Sequence, residues 1–348
     1  MMWVIAYSVP ISAFMGIALG GKPGGLLFWC YWTAIYSFIL HPILDQKLGR
    51  VTAEGLERNS KGPFQLGLNH LLLLLTLPTQ AILLTFGLVT LHTQELSILQ
   101  QFGIIFSLGI SAGAFGITSA HELIHRRSRV ERGMGVLLLA LTLYAHFRVE
   151  HVFGHHRWVA TPEDTATARE GESLYAFILR AFRGSWKVSW NLESKKPWWE
   201  NRLTHYVVLQ GLLMILIGGI WGGLGILAYL GQSLVGILLL KGVDYIEHYG
   251  LTRRELSPGV YEPFSEKHSW DSDFWLTNST LFSLGLHAHH HSAALVPFEK
   301  LRAKPQAPQL PWGYSLAILV ACIPSLWMKA MQSHLEAVKK NQRPLPLS

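Results

Sequence analysis

Residues 98–127, ILQQFGIIFSLGISAGAFGITSAHELIHRR, decide the fold, because a long apolar run passes directly into two histidines and a pair of arginines. The apolar part, 98–120, is long enough to cross a hydrocarbon core of roughly 30 Å as a helix. His121 and His125 follow at its end, four residues apart, so on a helix both side chains leave from one face. This stretch predicts a membrane helix whose end presents two imidazoles to a common point.

Five further apolar runs have the length of membrane helices. They lie at 3–19, 26–44, 66–91, 204–220 and 224–243, and the last two form an antiparallel hairpin around Trp221. The first has no basic segment before it, which favours a membrane helix over a cleaved signal peptide. The composition agrees, since 50% of residues are hydrophobic and 15% are charged, against about 25% charged in soluble domains. We therefore expect an all-α integral membrane protein with about six transmembrane helices and one membrane-embedded domain, 1–348.

The basic residues indicate the orientation. With a cytoplasmic N-terminus, the outer turns at 20–25, 92–96 and 221–223 hold only one of the 29 Lys and Arg residues, Lys22. Lys and Arg concentrate in short cytoplasmic loops, so both termini are predicted to be cytoplasmic, in a bacterial-type inner membrane. The segments 121–203 and 244–348 then form a cytoplasmic catalytic layer. The net charge of +7 suits anionic lipid or an acidic protein, although the orientation rule alone explains most of it.

Two more histidine clusters fall in this layer. Glu150 is followed by His151, His155 and His156, and the third cluster is His287-Ala288-His289-His290-His291. Between them, Asp244-Tyr245-Ile246-Glu247-His248 ends the sixth run. One zinc site uses three or four ligands, so three clusters on one membrane face require more than one metal ion.

The residues alone leave alternatives open. His121-Glu122-x-x-His125 also fits an intramembrane zinc protease with Glu122 as general base. Imidazole binds Zn, Cu, Fe and Ni alike, so the ligand type does not select the element. A metal transporter or sensor would need ionisable groups along a path through the bilayer, and the predicted helix centres hold almost none.

The three spacings, H-x3-H, H-x3-H-H and H-x2-H-H, resemble those of the membrane fatty-acid desaturase and hydroxylase superfamily. The text from Glu150 through His156 to Asp164, and then Tyr245-Ile246-Glu247-His248-Tyr249-Gly250-Leu251, looks specifically like the AlkB family of alkane 1-monooxygenases. The similarity extends from the second apolar run to about Met331. The sequence departs from the family pattern at His289 for a usual Asp, Asp244 for Asn, Thr165 for Pro, and Gly285-Leu286 for Gln-Arg.

The resemblance implies a non-heme diiron centre, with two Fe ions held by nine histidines. By motif position these are His121, His125, His151, His155, His156, His248, His287, His290 and His291. Neighbouring groups are expected to orient the imidazoles. The candidates are Glu122, Glu150, Asp164, Glu170, Asp244, Glu247, His146, His268 and His289.

The resemblance also implies an activity, namely hydroxylation of the terminal methyl of an alkane to a primary alcohol with O2. The electrons would come from a rubredoxin or ferredoxin-type donor with its NAD(P)H-dependent reductase, because two distant cysteines cannot hold an iron–sulfur centre. The substrate site would be an apolar channel from the bilayer, built by the first four helices, with 32–38 as plausible lining. A related diiron hydroxylase or desaturase acting on an aromatic methyl or a lipid chain would share the ligand set. Membrane lipid is an expected partner and nucleic acid is not.

Overall fold

The computed structural model describes residues 2–52, 56 and 62–342, and the fold is that of a largely helical membrane protein. Within those residues, four helical segments are long and apolar enough to cross a membrane: Met2–Gly20, Phe64–Thr93, Ile98–Ile124 and Arg202–His248. The fourth contains both predicted helices of the hairpin. Helices thus lie at the predicted positions, and the number of membrane crossings stays a prediction.

The longest helical segment folds back on itself at Gly222. The backbone there has φ 63° and ψ −157°, a combination that is essentially restricted to glycine. Gln210 before the bend accepts a hydrogen bond from the amide of Ala145, while Gln232 after it donates to the carbonyl of Leu141. In one straight helix these glutamines would be about 33 Å apart, so their shared contact with 141–145 confirms the hairpin.

The predicted second membrane helix is helical but interrupted. Helices Leu27–Cys30 and Trp32–Ile35 meet at Tyr31, whose φ of −104° and ψ of 6° are not helical. A π-helical turn, Tyr36–Leu40, then leads into His41–Leu48. The apolar run is therefore divided into short pieces, a feature that hydropathy alone does not reveal.

The helices are numbered in chain order. They are α1 Ser8–Gly20, α2 Leu27–Cys30, α3 Trp32–Ile35, α4 His41–Leu48, α5 Pro63–Thr93, α6 Ile98–Ser111, α7 Thr118–Ile124, α8 Arg129–Ala140, α9 Phe147–Glu150, α10 His156–Trp158, α11 Leu174–Glu193, α12 Arg202–His248, α13 Trp275–Thr280, α14 His287–Ser292, α15 Tyr314–Ala321 and α16 Pro324–Gln342. Turns of 3-10 helix occur at Met2–Tyr7, Glu266–His268 and Phe298–Lys300. Two more π-helical turns, Ala112–Ile117 and His151–His155, join α6 to α7 and α9 to α10.

The all-α fold includes one small pair of strands. Strands β1 Glu255–Ser257 and β2 Val260–Tyr261 form an antiparallel hairpin in the predicted cytoplasmic layer. Gly259, with φ +75°, supplies the positive φ that its tight turn requires. The last residues of that predicted layer, 343–348, lie outside the described residues.

Small residues let α12 approach the α6–α7 segment closely. A Cβ atom built on Gly109 would lie 2.4 Å from a side-chain atom of Val235, and one on Gly113 would lie 3.1 Å from the backbone of Gly236. Membrane helices pack closely where small residues face each other. This contact fixes the end of α7, which carries His121, beside the end of α12, which carries His248.

Candidate metal centre

A π-helical turn arranges the second histidine cluster. His151–His155 makes i→i+5 hydrogen bonds, so His156 rather than His155 stands above His151. The Nε2 atoms of His156 and His151 lie 3.0 Å apart, and His155 turns towards His291, at 3.1 Å between Nε2 atoms. The i, i+4 spacing of His151 and His155 would place both on one face of an α-helix, and the π turn separates them.

The nine predicted histidines form two groups of facing nitrogen atoms. Within each group, the possible ligand atoms lie within 4.8 Å of one another. The five-histidine group consists of His121, His125, His151, His156 and His290, and the four-histidine group consists of His155, His248, His287 and His291. The rings of both groups are buried or half-buried.

The distances within the groups fit metal ligation. In the five-histidine group, Nε2 of His156 is 3.0 Å from that of His151 and 3.1 Å from that of His290. In the other group, Nε2 of His291 lies 3.1 Å from His155 and 3.0 Å from His287. Two nitrogens bound at about 2.1 Å and at right angles on one ion are about 3.0 Å apart. Each group therefore has the dimensions of a single metal site.

Unpartnered nitrogens point to the same conclusion. Nε2 of His121 and of His125 is buried without a hydrogen-bond partner in the described residues. Burial, reinforced by nearby imidazoles, lowers the pKa of His125 to about 3 and holds those of His151 and His290 well below the usual range. Neutral imidazole is the form that binds metals, so these three histidines of the five-histidine group are in the state that a metal ion requires.

Asp164 orients one imidazole of the four-histidine group. Its Oδ2 accepts a hydrogen bond from Nδ1 of His155 at 2.8 Å and another from the Thr167 hydroxyl at 2.6 Å. Burial opposes ionisation of Asp164, but His155 and these hydrogen bonds outweigh it and lower its pKa to about 2. In turn, the carboxylate overcomes the effect of burial on His155 and raises its pKa. A carboxylate on Nδ1 leaves Nε2 free to face a metal.

Three other predicted carboxylates also lie beside the cluster. Oε2 of Glu247 is 3.2 Å from Nε2 of His287, and its Oε1 accepts from the Tyr314 hydroxyl at 2.6 Å. Glu150 is buried, neither of its carboxylate oxygens has a hydrogen-bond partner among the residues that the structure describes, and burial raises its pKa to about 7. Asp244 pairs with Nζ of the fully buried Lys241 at 2.7 Å.

Lys241 and Tyr314 were missed by the sequence reasoning. Lys241 could have been found from the sequence, because an ionisable residue inside a predicted membrane helix indicates a functional site. Tyr314 lies in an ordinary apolar stretch of the sequence and carries no such signal.

The two remaining acidic candidates, Glu122 and Glu170, have partners outside the two histidine groups. Glu122 pairs with Arg126 at 2.8 Å and accepts from the Phe298 amide at 3.3 Å. Glu170 is exposed and pairs with Lys339.

The three additional histidines have structural partners. His146 packs against Tyr144 and Trp186, and His268 accepts from the Ser265 amide at 2.9 Å. His289 is half-buried and accepts from the Arg302 amide at 2.8 Å. Each of these rings is therefore held by its own neighbours.

A narrow apolar cavity of about 70 Å³ reaches the cluster and touches His121, His151 and His287. Ser37 and Phe38 of the predicted lining contribute to it. The other walls differ from the prediction, because α12 and the segments 281–284 and 314–318 replace the first and third membrane helices. The remaining lining residues are Ile110, Gly113, Ala114, Thr118, Phe147, Leu239, Leu240, Val243, Asp244, Glu247, Leu281, Leu284, Tyr314, Ser315 and Ile318.

An open apolar groove of about 460 Å³ lies on the other side of one cavity wall. It runs between α11, α12 and α15, and Phe106, Tyr175 and Leu238 line it. Leu239 and Ile318 line both the groove and the inner cavity. These two side chains therefore form part of the wall between the cavity and an apolar outer surface.

Comparisons with known proteins give one consistent result. The fatty acid desaturase family model matches residues 97–316. Alkane 1-monooxygenase 1 of Pseudomonas aeruginosa is 39% identical over 321 residues, 89% of this chain and 84% of the relative. Alkane 1-monooxygenase 2 of the same organism is 37% identical, covering 96% of this chain and 91% of the relative. The xylene/toluene monooxygenase hydroxylase component XylM of Pseudomonas putida is 27% identical, covering 92% and 85%.

Proposed function

Because the chain belongs to the fatty acid desaturase family and, within it, to the alkane 1-monooxygenases, we propose that it hydroxylates the terminal methyl group of alkanes with O2. The product is a primary alcohol, and the second oxygen atom leaves as water. The observation that carries the proposal is the apolar cavity that ends on two groups of facing histidines. An alkane offers no polar handle, so its position must be fixed by the shape of an apolar wall.

The nine histidines are proposed as ligands of two iron ions, one in each group. Imidazole alone does not choose among the transition metals, but oxygen activation requires a metal that changes its oxidation state. When bound, the iron pair supplies that redox chemistry. The protein supplies neutral imidazoles, the carboxylate of Asp164 behind His155 and a cavity whose walls exclude water.

The electrons are proposed to come from a rubredoxin-type protein fed by an NAD(P)H-dependent reductase. Cys30 is buried and Cys322 is exposed, and they lie far apart in the sequence. Two such cysteines cannot form an iron–sulfur centre, so a separate donor is required. The basic surface suits an acidic donor that approaches from the cytoplasm. We also propose that the enzyme lies in a bacterial inner membrane.

The comparisons favour an alkane over an aromatic methyl group as the substrate. The relative named for xylene and toluene is less similar to this chain than the alkane 1-monooxygenases reported above. Hydroxylation of an aromatic methyl is therefore the second candidate, and product analysis separates the two.

The position of Glu122 argues against the zinc protease. Its carboxylate is engaged by Arg126 and by the Phe298 amide. A general base of a zinc protease must instead face the water on the metal. The two i, i+4 histidines are also joined by seven others, whereas a catalytic zinc site takes three protein ligands.

The deciding experiment measures iron and zinc per chain in purified protein, for the parent, His290→Ala and His289→Ala. His290 belongs to the five-histidine group, whereas its neighbour His289 accepts from a backbone amide outside both groups. We expect about two irons in the parent, a clear loss in His290→Ala and no change in His289→Ala. The parent, supplied with a rubredoxin donor and O2, should convert a linear alkane to its 1-alcohol.

Two outcomes would overturn the proposal. One zinc per chain, unaffected by His290→Ala, would favour the protease. Two irons without alkane hydroxylation, together with turnover of xylene, would move the substrate to an aromatic methyl group.

A further inference from the structure

A second surface groove lies between α8 and the start of α12, outside the catalytic cavity. Its volume is about 630 Å³, and three arginines line it: Arg129, Arg132 and Arg148. Apolar side chains complete the walls, among them Leu137 and Leu209. The proposed reaction does not use this groove.

Both walls of the groove change from basic to apolar in the same direction. Along α8 the lining runs from Arg129 to Leu137, about 12 Å of helix rise. On the facing wall it runs from Arg148, which donates to the Tyr206 hydroxyl, to Leu209, one turn further along α12. A Cβ built on Gly135 would meet Ile124 and Leu123 at the end of a candidate membrane span. The basic end is therefore at the membrane edge, and the apolar end points into the hydrocarbon region.

Hydrogen bonds hold Arg132 and Arg148 in place, and none of the three arginines forms an ion pair with a described carboxylate. Nη1 of Arg132 donates to the Arg126 carbonyl at 2.9 Å, and Nη1 of Arg148 donates to the Tyr206 hydroxyl. Nε of Arg148 is buried without a hydrogen-bond partner in the described part of the chain. Across those same residues, no carboxylate forms an ion pair with the three arginines that line the groove; the nearby Glu131 pairs with His70.

We propose that this groove binds one anionic phospholipid. The phosphate accepts from Arg129 and Arg148, because guanidinium groups bind phosphate oxygens with two parallel hydrogen bonds. An acyl chain lies along Leu137 and Leu209. A zwitterionic lipid also carries a phosphate, but its ammonium group is repelled by three arginines, so the site selects net negative charge.

Occupancy of the groove bears on the histidine layer through Arg148. This residue lies three positions before His151 in the same helical segment. A phosphate on its guanidinium would fix the start of that segment from the membrane side. The proposal concerns lipid binding alone, so its test needs neither metal nor turnover.

The experiment counts lipid bound to the full chain. Detergent-purified protein is mixed with phosphatidylglycerol or phosphatidylcholine, passed through gel filtration and analysed for phospholipid per chain by mass spectrometry. We expect about one phosphatidylglycerol in the parent and much less phosphatidylcholine. Arg129→Gln should weaken phosphatidylglycerol binding about fivefold, since an arginine at a membrane surface contributes about that factor; Arg129→Gln/Arg148→Gln should weaken it further.

The matched control is Arg127→Gln. Arg127 is exposed, lies two residues before Arg129 and does not line the groove, so its variant should bind like the parent. Arg129 is itself exposed, and the single variant keeps the test valid if the double variant does not fold. Equal retention of both lipids, or parent-like binding by Arg129→Gln, would overturn the proposal. So would displacement by soluble glycerophosphate at an equal concentration, because that result would mean a simple phosphate site.

Discussion

Single residues beside the histidine cluster determine the orientation of its imidazole rings. Asp164 is the clearest case, because its carboxylate holds the side of His155 opposite to the nitrogen that faces His291. The same aspartate accepts from Thr167 and from the Ala166 amide. Because these hydrogen bonds fix the Asp164 carboxylate, its hydrogen bond to His155 also fixes the orientation of the imidazole ring.

Asp164→Asn should weaken metal binding while leaving the protein folded. The amide keeps most of the carboxylate's size, but it loses the negative charge that favours one tautomer of His155. Loss of such a partner typically costs about tenfold to a hundredfold in metal affinity. Metal retained per chain during titration with a chelator measures the effect, and the melting temperature without metal reports on folding.

Glu170→Gln is the matched control for this change. The sequence analysis placed Glu170 among the orienting candidates, but it is exposed and pairs with Lys339. Its variant should hold metal as tightly as the parent. Equal metal retention by Asp164→Asn and the parent would contradict the role given to Asp164.

The sequence predicted the members of the cluster, but it could not predict how they divide into groups. The family resemblance selects the nine histidines, and i, i+4 repeats are visible among them. On an α-helix this spacing would pair His151 with His155, but the π turn at 151–155, which has no composition of its own, separates them. Glu122 and Glu170 show the same limit, because contacts from distant segments decide how a carboxylate is oriented.

At the scale of elements, the packing of α12 against α15 controls access to the cavity. Leu239 and Ile318 form the wall between the inner cavity and the outer apolar groove. A Cβ built on Gly113 would lie 3.1 Å from Cδ1 of Leu239, so this leucine fills the space between α12 and the π turn at 112–117. Movement of two side chains would join the groove to the cavity.

Leu239→Ala should open this wall and relax selectivity for slender substrates. Removing the side chain widens the passage, so the ratio of kcat/KM for a methyl-branched alkane to that for a linear alkane should rise about tenfold, as expected when a pocket gains room for one or two methyl groups. Leu239→Trp should close the passage and raise KM for the linear alkane. Steady-state kinetics on both substrates provides the measurement.

Leu238→Ala separates access from general loosening of α12. Leu238 lines the outer groove only and is 40% exposed, so its removal should leave the selectivity ratio unchanged. A rise of the same size in Leu238→Ala and Leu239→Ala would show that the wall does not control entry.

Hydropathy predicted the positions of the long helices, because apolar length is a property of the sequence itself. It did not predict the interruption at Tyr31, where the backbone leaves the helix without a proline or glycine at that position. The cavity walls were also partly wrong, since segments such as 281–284 reach the cavity only through the tertiary fold. Long-range packing, and not local propensity, decides these features.

On the scale of the whole molecule, charge is distributed unevenly along the chain. Lys22 is the only basic residue in the turns predicted to face outward, out of 29 Lys and Arg. The other side carries the histidine layer, the arginines of α8 and the proposed surface for the electron donor. In the proposed orientation, the same face would therefore perform the chemistry, receive electrons and contact anionic lipid.

Cysteine labelling in intact cells tests this orientation. In a Cys322→Ser background, Lys22→Cys should react with a membrane-impermeant maleimide added outside, because residue 22 is exposed and its turn is predicted to face outward. Arg127→Cys, also exposed, should react only after the membrane is opened. Cys30 is buried and can remain. The reverse pattern would place both termini on the outside.

The π turn at 112–117 also has a consequence for insertions and deletions in the gene. A codon lost from the regular helix 98–111 would rotate everything after it by about 100° and carry His121 away from its partners. The π turn already holds one residue more than an α turn needs. A codon lost there would let the helix close as an ordinary α-helix and leave His121 on its original face. Within the apolar stretch 98–124, the π turn is therefore the place where one residue can be deleted without moving His121.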